Sequence, residues 1–229
     1  MPKKHLKRIA APRTWPIKRK GIKFVARPLP GKHKLNLGMP INVVFSEILK
    51  ITKTTKETEK ILYHKEILVD GRKIKDKKAL VGLMDVISIP LTKEYYRLII
   101  NEHGWISSTP IDVKESKLKI CKIMGKRKVK GKIQFNLDDG RNILSEENAY
   151  KVGDSLLITL PEQKIEAHLK FEKGAAVYMI AGKRIGTLGT ISEIKEKSLL
   201  CKNSEDEQFE TVKNHVLIVG KDKPVIKVK

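Results

Sequence analysis

The first forty residues constrain the fold of this chain most, because they combine dense positive charge with frequent proline. They hold 12 Lys and Arg, no Asp or Glu, and six of the ten prolines; the first acid is Glu47. Proline fixes φ and removes a backbone donor, and like charges repel along a free chain. We therefore predict that residues 1–40 form an extended basic arm, disordered alone and ordered by a partner.

The charge of the whole chain points to a polyanionic partner. The 229 residues carry a formal net charge of +22, of which the arm holds +12, and the remaining +10 is spread over residues 41–229. Nucleic acid fits this distribution better than a membrane, because the prolines prevent an amphipathic helix in the arm. Trp15 and Phe24 stand among the cations, which suits stacking on bases or packing into a partner.

Residues 41–93 are predicted to form a small α/β module. Apolar residues recur at helical spacing from Ile41 to Ile51, and a second short helix is expected over residues 55–64. Asp70-Gly71 between two apolar runs indicates a hairpin, and residues 86–89 before Pro90 read as a strand.

The rest of the chain has the pattern of short strands separated by turns. We predict a central β domain over residues 94–170, with strands at 95–100, 117–123, 131–137, 141–144 and 155–160. Residues 171–229 suggest five short strands in an SH3-like barrel. The predicted fold class is therefore α+β and mostly β.

No motif in the sequence indicates catalysis, a metal or a nucleotide. The six histidines are scattered, and neither HExxH nor CxxC occurs. The glycines at 182, 186 and 189 fail the phosphate-loop spacing and read as turn glycines. The adjacent acids Asp138-Asp139 and Glu146-Glu147 read as solvated turn residues. We expect no enzymatic activity, no cofactor and no small-molecule substrate.

The N-terminal sequence resembles the signature of the S4e family of small-subunit ribosomal proteins. The residues that carry the resemblance run from His5-Leu6-Lys7-Arg8 through Pro12, Trp15 and Pro16 to Arg19, with Arg27-Pro28 and Gly31-Lys32-His33 following. Residues 41–90 resemble an S4-type RNA-binding module, residues 95–170 the family's central domain, and residues 174–191 a KOW motif. One departure is Met84, which stands where such modules often have glycine before the Asp.

The resemblance implies a structural constituent of the small ribosomal subunit that binds ribosomal RNA. We expect it to act in the cytoplasm within the ribosome, to contact neighbouring ribosomal proteins, to avoid membranes and not to self-associate. The residues expected to contact RNA are His5, Lys7, Arg8, Arg13, Trp15, Lys18, Arg19, Lys20, Lys53, Lys56, Arg72, Lys73, Lys126, Arg127, Lys128, Lys183 and Arg184. Most are Lys or Arg, which contact phosphates without specifying sequence.

Two alternatives stay open at this stage. A KOW protein associated with transcription would bind RNA or polymerase, and S4-type modules also occur attached to RNA-modifying enzymes. The enzyme alternative is the weaker one, because the predicted domains leave no residues for a catalytic domain.

Overall fold

The computed structural model describes residues 5–64, 66–146, 148–196, 198–203 and 207–228. The chain divides into two compact units. The first runs up to Ile100 and includes Trp105–Ser116, and the second comprises Asn101–Gly104 and the chain from Lys117 onward. Strands predominate, which confirms the prediction of a mostly β protein. None of the helices in these described ranges is long and apolar enough to span a membrane.

The first unit contains short helices and one larger sheet. Its strands are β1 (Leu6–Lys7), β2 (Phe24–Val25), β3 (Gly38–Pro40), β4 (Leu68–Val69), β5 (Arg72–Lys73), β6 (Leu80–Gly82), β7 (Val86–Ile89), β8 (Glu94–Ile100) and β9 (Ile106–Pro110). Its helices are α1 (Ile41–Val43), which continues as a π-helical turn over Val44–Ile48, and α2 (Thr55–His64). Strands pair in the order β5-β4-β7-β8-β9, with β1-β2 and β3-β6 as separate two-stranded ribbons.

The second unit contains two five-stranded sheets. Its strands are β10 (Leu118–Val129), β11 (Lys132–Leu137), β12 (Asn142–Ser145), β13 (Ser155–Thr159), β14 (Ile165–Leu169), β15 (Ala176–Met179), β16 (Leu188–Ile194), β17 (Ser198–Asn203), β18 (Gln208–Val212) and β19 (Val216–Gly220). The orders are β12-β11-β10-β13-β14 and β18-β17-β16-β15-β19, and every pair is antiparallel. The predicted strands recur in this unit, but β10 runs to Val129, six residues beyond its predicted end at residue 123, and β14 was not predicted.

Helix α2 and the hairpin after it follow from local sequence. Thr54 and Glu57 form a capping box: the Glu57 carboxylate accepts the Lys53 N–H at 2.8 Å, and Thr54 Oγ1 accepts the Glu57 N–H at 3.3 Å. In the hairpin, Asp70 and Gly71 have φ of 52° and 73°, the positive values that a two-residue turn requires. These elements confirm the prediction for residues 55–73.

Met84 has the backbone conformation that glycine often has at this position in S4-type modules. Its φ is 63°, in the left-handed region that favours glycine, and its side chain is buried. Asp85 follows it and accepts the Gly82 N–H at 2.9 Å through its carboxylate. The turn geometry is therefore retained although the residue departs from the pattern.

The sheet of the first unit runs across the predicted domain boundary between residues 93 and 94. β8 pairs with β7 in register, with Ile89 opposite Glu94, so the residues from Pro90 to Lys93 form a hairpin turn within one sheet. The sheets built on β10 and β15 both lie in the second unit. The division of the chain into an arm and three domains stays a prediction.

The N-terminal arm, defined as residues 1–40, is folded over its described part and is not extended. The Trp15 side chain is 1% exposed, and its Nε1 donates to the Gly38 carbonyl oxygen at 2.9 Å. The Thr14 hydroxyl donates to Asn36 O, and Thr14 O accepts the Ile106 N–H at 2.7 Å. Burial of an indole outweighs the proline and charge signals, because a large aromatic surface leaves water.

The interpretation of Asp138-Asp139 as solvated turn acids is wrong for Asp139. Its carboxylate is buried, with Oδ2 at 3.0 Å from both Lys119 Nζ and Arg141 Nε. Burial alone would raise the pKa of Asp139, but the charges of Lys119 and Arg141 outweigh it and lower that pKa. In the other pair, Lys132 Nζ lies 2.9 Å from the exposed Glu146, and Glu147 lies outside the described residues.

Candidate nucleic-acid interface

The predicted cations of the N-terminal arm divide into exposed and internally bonded groups. The exposed members are His5, Lys7, Arg13, Lys18 and Lys20. They belong to a stretch in which the sequence has no carboxylate before Glu47. No acidic residue close to them in the sequence therefore neutralises their charge.

Arg8 and Arg19 are used largely within the arm itself. Arg19 donates to three carbonyl oxygens, those of Arg8 at 3.0 Å, Ala11 at 2.6 Å and Pro12 at 2.7 Å. Arg8 donates to Lys18 O at 3.0 Å and lies 3.6 Å from Glu47 Oε1. Both guanidinium groups therefore hold the arm in shape, and RNA contact by Arg8 and Arg19 stays a prediction.

Trp15 does not present a surface for base stacking. Its ring is buried in the first unit, and RNA contact at this residue stays a prediction. Phe24 is the aromatic residue of the arm that remains exposed, at 45%. Its ring meets the His5 ring edge to face at 5.4 Å between centroids, with Lys23 Nζ 5.5 Å from its centroid.

Residues 41–93 carry four predicted cations, which lie at two places in the first unit. Lys53 and Lys56 are exposed at the start of α2, where Glu57 already occupies the first backbone N–H groups. Arg72 and Lys73 form β5, and Lys73 Nζ lies 3.2 Å from the exposed Glu66. An exposed ion pair of this type contributes little and can exchange for a phosphate.

The hairpin of β10 and β11 presents three of the cations that are predicted to contact RNA. Leu118–Lys122 pair with β13 inside the sheet, whereas residues 125–129 pair only with β11 and form a two-stranded ribbon. Lys126, Arg127 and Lys128 are exposed on this ribbon, and Lys126 Nζ lies 3.0 Å from Asn148 Oδ1. The ribbon is anchored by Phe135, which is fully buried in the core of this sheet.

Lys183 and Arg184 lie in the turn between β15 and β16, and both are exposed. The Arg184 guanidinium is 2.8 Å from the Glu207 carboxylate and 5.8 Å from the Phe209 ring centroid. Gly182 and Gly186 have φ of 94° and 79°, and a Cβ at Gly186 would lie 2.3 Å from the Asn101 backbone. Both glycines therefore serve a tight turn, in agreement with the prediction.

Sequence reasoning missed two exposed features. Tyr63 on α2 is 79% exposed and follows Lys56 and Lys60 at helical spacing, a signal visible in the sequence. Ile9 and Ile22 in the arm are 83% and 74% exposed. The pairing of β1 with β2 places these two isoleucines at the same end of the ribbon, which the sequence alone does not show.

The remaining polar clusters have a structural character. Cys121 Sγ and the carboxylates of Asp138 and Asp139 lie within 4.8 Å of one another, a spacing that metal ligands could share. However, Lys119 and Arg141 already supply positive charge to Asp139, so the cluster is suited to an ion pair and not to a metal. The described surface thus offers cations and apolar groups for binding a polyanion.

Comparison with known proteins shows the family of this chain. Residues 1–36 match the RS4NT (NUC023) domain, and residues 92–165 match ribosomal family S4e. Small ribosomal subunit protein eS4 of Methanocaldococcus jannaschii is 42% identical, covering 99% of this chain and 98% of that protein. The chain belongs to the ribosomal S4e family. The eS4 protein of Methanocella arvoryzae is 41% identical over 97% of this chain and 96% of its own length.

A solved structure supports the assignment. The crystal structure of the 30S ribosomal protein S4e from Thermoplasma acidophilum has a TM-score of 0.70 and 32% identity, covering 81% of this chain and 96% of that one. This S4e chain is therefore a structural constituent of the small ribosomal subunit, and the family implies ribosomal RNA binding. The family is non-enzymatic, which confirms the prediction and removes the enzyme and polymerase alternatives.

Proposed function

We propose that this S4e chain binds small-subunit ribosomal RNA through four separate cationic surfaces. They are the exposed side of the arm, the S4-type module, the β10–β11 ribbon and the β15–β16 turn. Their residues are His5, Lys7, Arg13, Lys18, Lys20, Lys53, Lys56, Arg72, Lys73, Lys126, Arg127, Lys128, Lys183 and Arg184. Arg8 and Arg19 support the first surface by holding the arm in shape.

The observation that carries this proposal is the excess of exposed cations over acids in the arm. Lys7, Arg13, Lys18 and Lys20 are exposed, and the first acid of the chain is Glu47. Phosphates neutralise such a surface and release counterions, which makes the binding steeply dependent on salt. The strand order β18-β17-β16-β15-β19 supports an SH3-like barrel as the scaffold of the fourth surface.

The assembled protein acts within the ribosome in the cytoplasm and contacts neighbouring ribosomal proteins. The folded arm supports this role, because its exposed side presents both apolar groups and cations. Crosslinking on isolated small subunits would identify the partner proteins and the RNA helices.

The experiment that tests the proposal is a salt titration of binding to purified small-subunit ribosomal RNA. If roughly ten phosphates are contacted, log affinity falls against log salt with a slope between about −7 and −9. A triple variant, Lys126→Ala, Arg127→Ala and Lys128→Ala, should make this slope shallower by about 2. A wild-type slope shallower than about −2 would contradict phosphate-dominated binding.

The matched control removes lysines that are already paired. Lys164 and Lys170 are exposed and neighbour Glu162 and Glu172, respectively. The double variant Lys164→Ala and Lys170→Ala should leave the slope within about 0.5 of wild type, because these charges have local counterions. An equal effect in both variants would show that net charge matters and that the ribbon does not.

A further inference from the structure

The outward side of the β1–β2 ribbon combines apolar and cationic groups. Lys7 pairs with Phe24, and Leu6 with Val25. Because side chains alternate across a strand, Lys7 and Phe24 share one face. Both are exposed, while Leu6 and Val25 are half-buried, so the Lys7–Phe24 face is the outward one.

Two isoleucines extend the apolar part of this ribbon. The Arg8 N–H donates to Lys23 O at 3.0 Å, and a 3₁₀ turn over Arg8–Ala10 follows β1 directly. Ile9 follows Arg8 and Ile22 precedes Lys23, and therefore both lie at the same end of the ribbon. They are the two most exposed large apolar side chains of the arm.

These exposed groups are not explained by the folding of the arm. The arm is held by buried or bonded residues, namely Trp15, Arg19 and Arg8. Ile9, Ile22 and Phe24 are not buried in this way, and their exposed side chains leave apolar surface in contact with water. Lys7 pairs with Phe24, and Lys23 Nζ lies 5.5 Å from the centroid of the Phe24 ring. An apolar group beside such cations indicates a partner with both apolar faces and negative charge.

Unstacked RNA has this combination of properties. Its phosphates carry the negative charge, and the faces of its unpaired bases are apolar and stack on aromatic rings. The absence of any acid before Glu47 disfavours a basic protein surface as the occupant. His5, in edge contact with Phe24, adds a second ring to the same side of the ribbon.

We infer that Ile9, Ile22 and Phe24 form a base-contacting surface that receives unpaired nucleotides of RNA while the surrounding lysines bind their phosphates. This inference rests on the proposed function, and it adds contact with bases to contact with phosphates. It assigns to the outward side of the ribbon the stacking role that the buried Trp15 does not perform.

The test separates base contacts from phosphate contacts by salt dependence. We would compare the full chain with Phe24→Leu and with the double variant Ile9→Ser and Ile22→Ser, using purified small-subunit ribosomal RNA from about 0.1 M to about 0.5 M KCl. Stacking on one base is worth a factor of between about 5 and about 150 in affinity. We expect each variant to lose affinity by at least about fivefold with an unchanged salt slope, because no charge is removed.

A second readout locates the contact. Dimethyl sulfate reports the base edges of unpaired nucleotides, and hydroxyl radicals report the backbone. The variants should lose wild-type protection of a few bases while the backbone footprint persists. Leu91→Ser is the matched control, because Leu91 is also exposed but lies in the β7–β8 turn. It should change neither footprint.

Unchanged affinity and unchanged base protection in both variants would overturn the inference. So would a shallower salt slope, since it would indicate that the substitutions had disturbed phosphate contacts. Loss of binding to vesicles of phosphatidylglycerol and phosphatidylcholine, with RNA binding intact, would assign the surface to a lipid and also overturn it. A shallow slope for the wild-type chain would instead contradict the proposed function.

Discussion

The indole Nε1 of Trp15 donates to the carbonyl oxygen of Gly38 at 2.9 Å, and the ring around it is buried. This bond joins two residues of the N-terminal arm that are 23 residues apart in the sequence. Gly38 begins β3, which pairs with β6, so the bond ties the arm to the rest of the first unit. The arm is therefore part of the first unit over its described residues.

Replacing Trp15 should destabilise the first unit. In Trp15→Phe the Gly38 carbonyl loses its donor in a buried setting, and we expect a loss of about 1–3 kcal/mol in the free energy of unfolding. Chemical unfolding followed by circular dichroism measures this change. Ile22→Ala, at an exposed site in the same arm, is the control and should stay within about 0.5 kcal/mol. Weaker RNA binding by Trp15→Phe without any loss of stability would contradict a structural role.

The ion cluster around Asp139 makes the second unit sensitive to acid. The pKa of Asp139 is lowered in the folded state, because Lys119 and Arg141 outweigh the opposing effect of burial. A group with a lowered folded pKa stabilises the fold above its unfolded value, about pH 4, and that stabilisation is lost as pH falls through the folded pKa. The unfolding free energy should therefore decrease as the pH falls below about 4.

A single substitution tests what the Asp139 carboxylate contributes to stability. Asp139→Asn leaves Lys119 and Arg141 without their buried counter-charge, and we expect a loss of about 3–5 kcal/mol at neutral pH. The difference between variant and wild type should shrink as the pH is lowered. Glu162→Gln is the control, because Glu162 pairs with Lys164 at an exposed site and should have no measurable effect. A pH-independent difference would contradict the charge interpretation.

Both cysteines should resist thiol reagents in the native state. Cys121 and Cys201 are buried and form no disulfide, and burial raises the pKa of the Cys201 thiol to about 11. At pH 8 about one Cys201 in a thousand would then be a thiolate, which is the reactive form. Titration with Ellman's reagent should detect fewer than one thiol per folded chain and both thiols after denaturation in guanidinium. Rapid reaction of the native protein would show that the sites open readily.

The pair formed by Arg184 and Glu207 should limit the contribution of the β15–β16 turn to RNA binding. Glu207→Gln releases the Arg184 guanidinium, which lies 2.8 Å from the carboxylate and is exposed. Removing an exposed pair of this kind is worth about 0.2–1 kcal/mol, so affinity for ribosomal RNA should rise by up to about fivefold. Filter binding measures this gain. The double variant Arg184→Ala and Glu207→Gln should abolish it, and a gain that persists would exclude Arg184 from the interface.

The elements that follow from local signals could be predicted from the sequence. The capping box of Thr54 and Glu57 sets the start of α2, and Asp70-Gly71 forms the turn of the β4–β5 hairpin. Both signals act over a few residues, where the backbone and neighbouring side chains alone decide the conformation. The pairing of β8 with β7 across residue 93 could not be predicted in this way, because the partner of a strand is not visible in the sequence of that strand alone.

The candidate site could be predicted only in part. The cations of the β10–β11 ribbon and of α2 are exposed as expected, because Lys and Arg prefer water unless they are paired. Which arginines of the arm are exposed could not be predicted, because Arg8 and Arg19 find carbonyl oxygens through a chain reversal. The base-contacting surface depends on the same reversal, which brings Ile22 to the end of the ribbon that holds Ile9.

The sequence by itself determined where the positive charge lies, that the chain is mostly β, and that it resembles the S4e family. Composition and short-range periodicity carry this information without reference to any distant residue. Only the tertiary structure decided that Trp15 is buried, that Asp139 is an internal ion-pair partner and that Phe24 stays exposed. Each of these outcomes depends on which distant groups meet, because burial and charge compensation are properties of the packed chain and not of one segment.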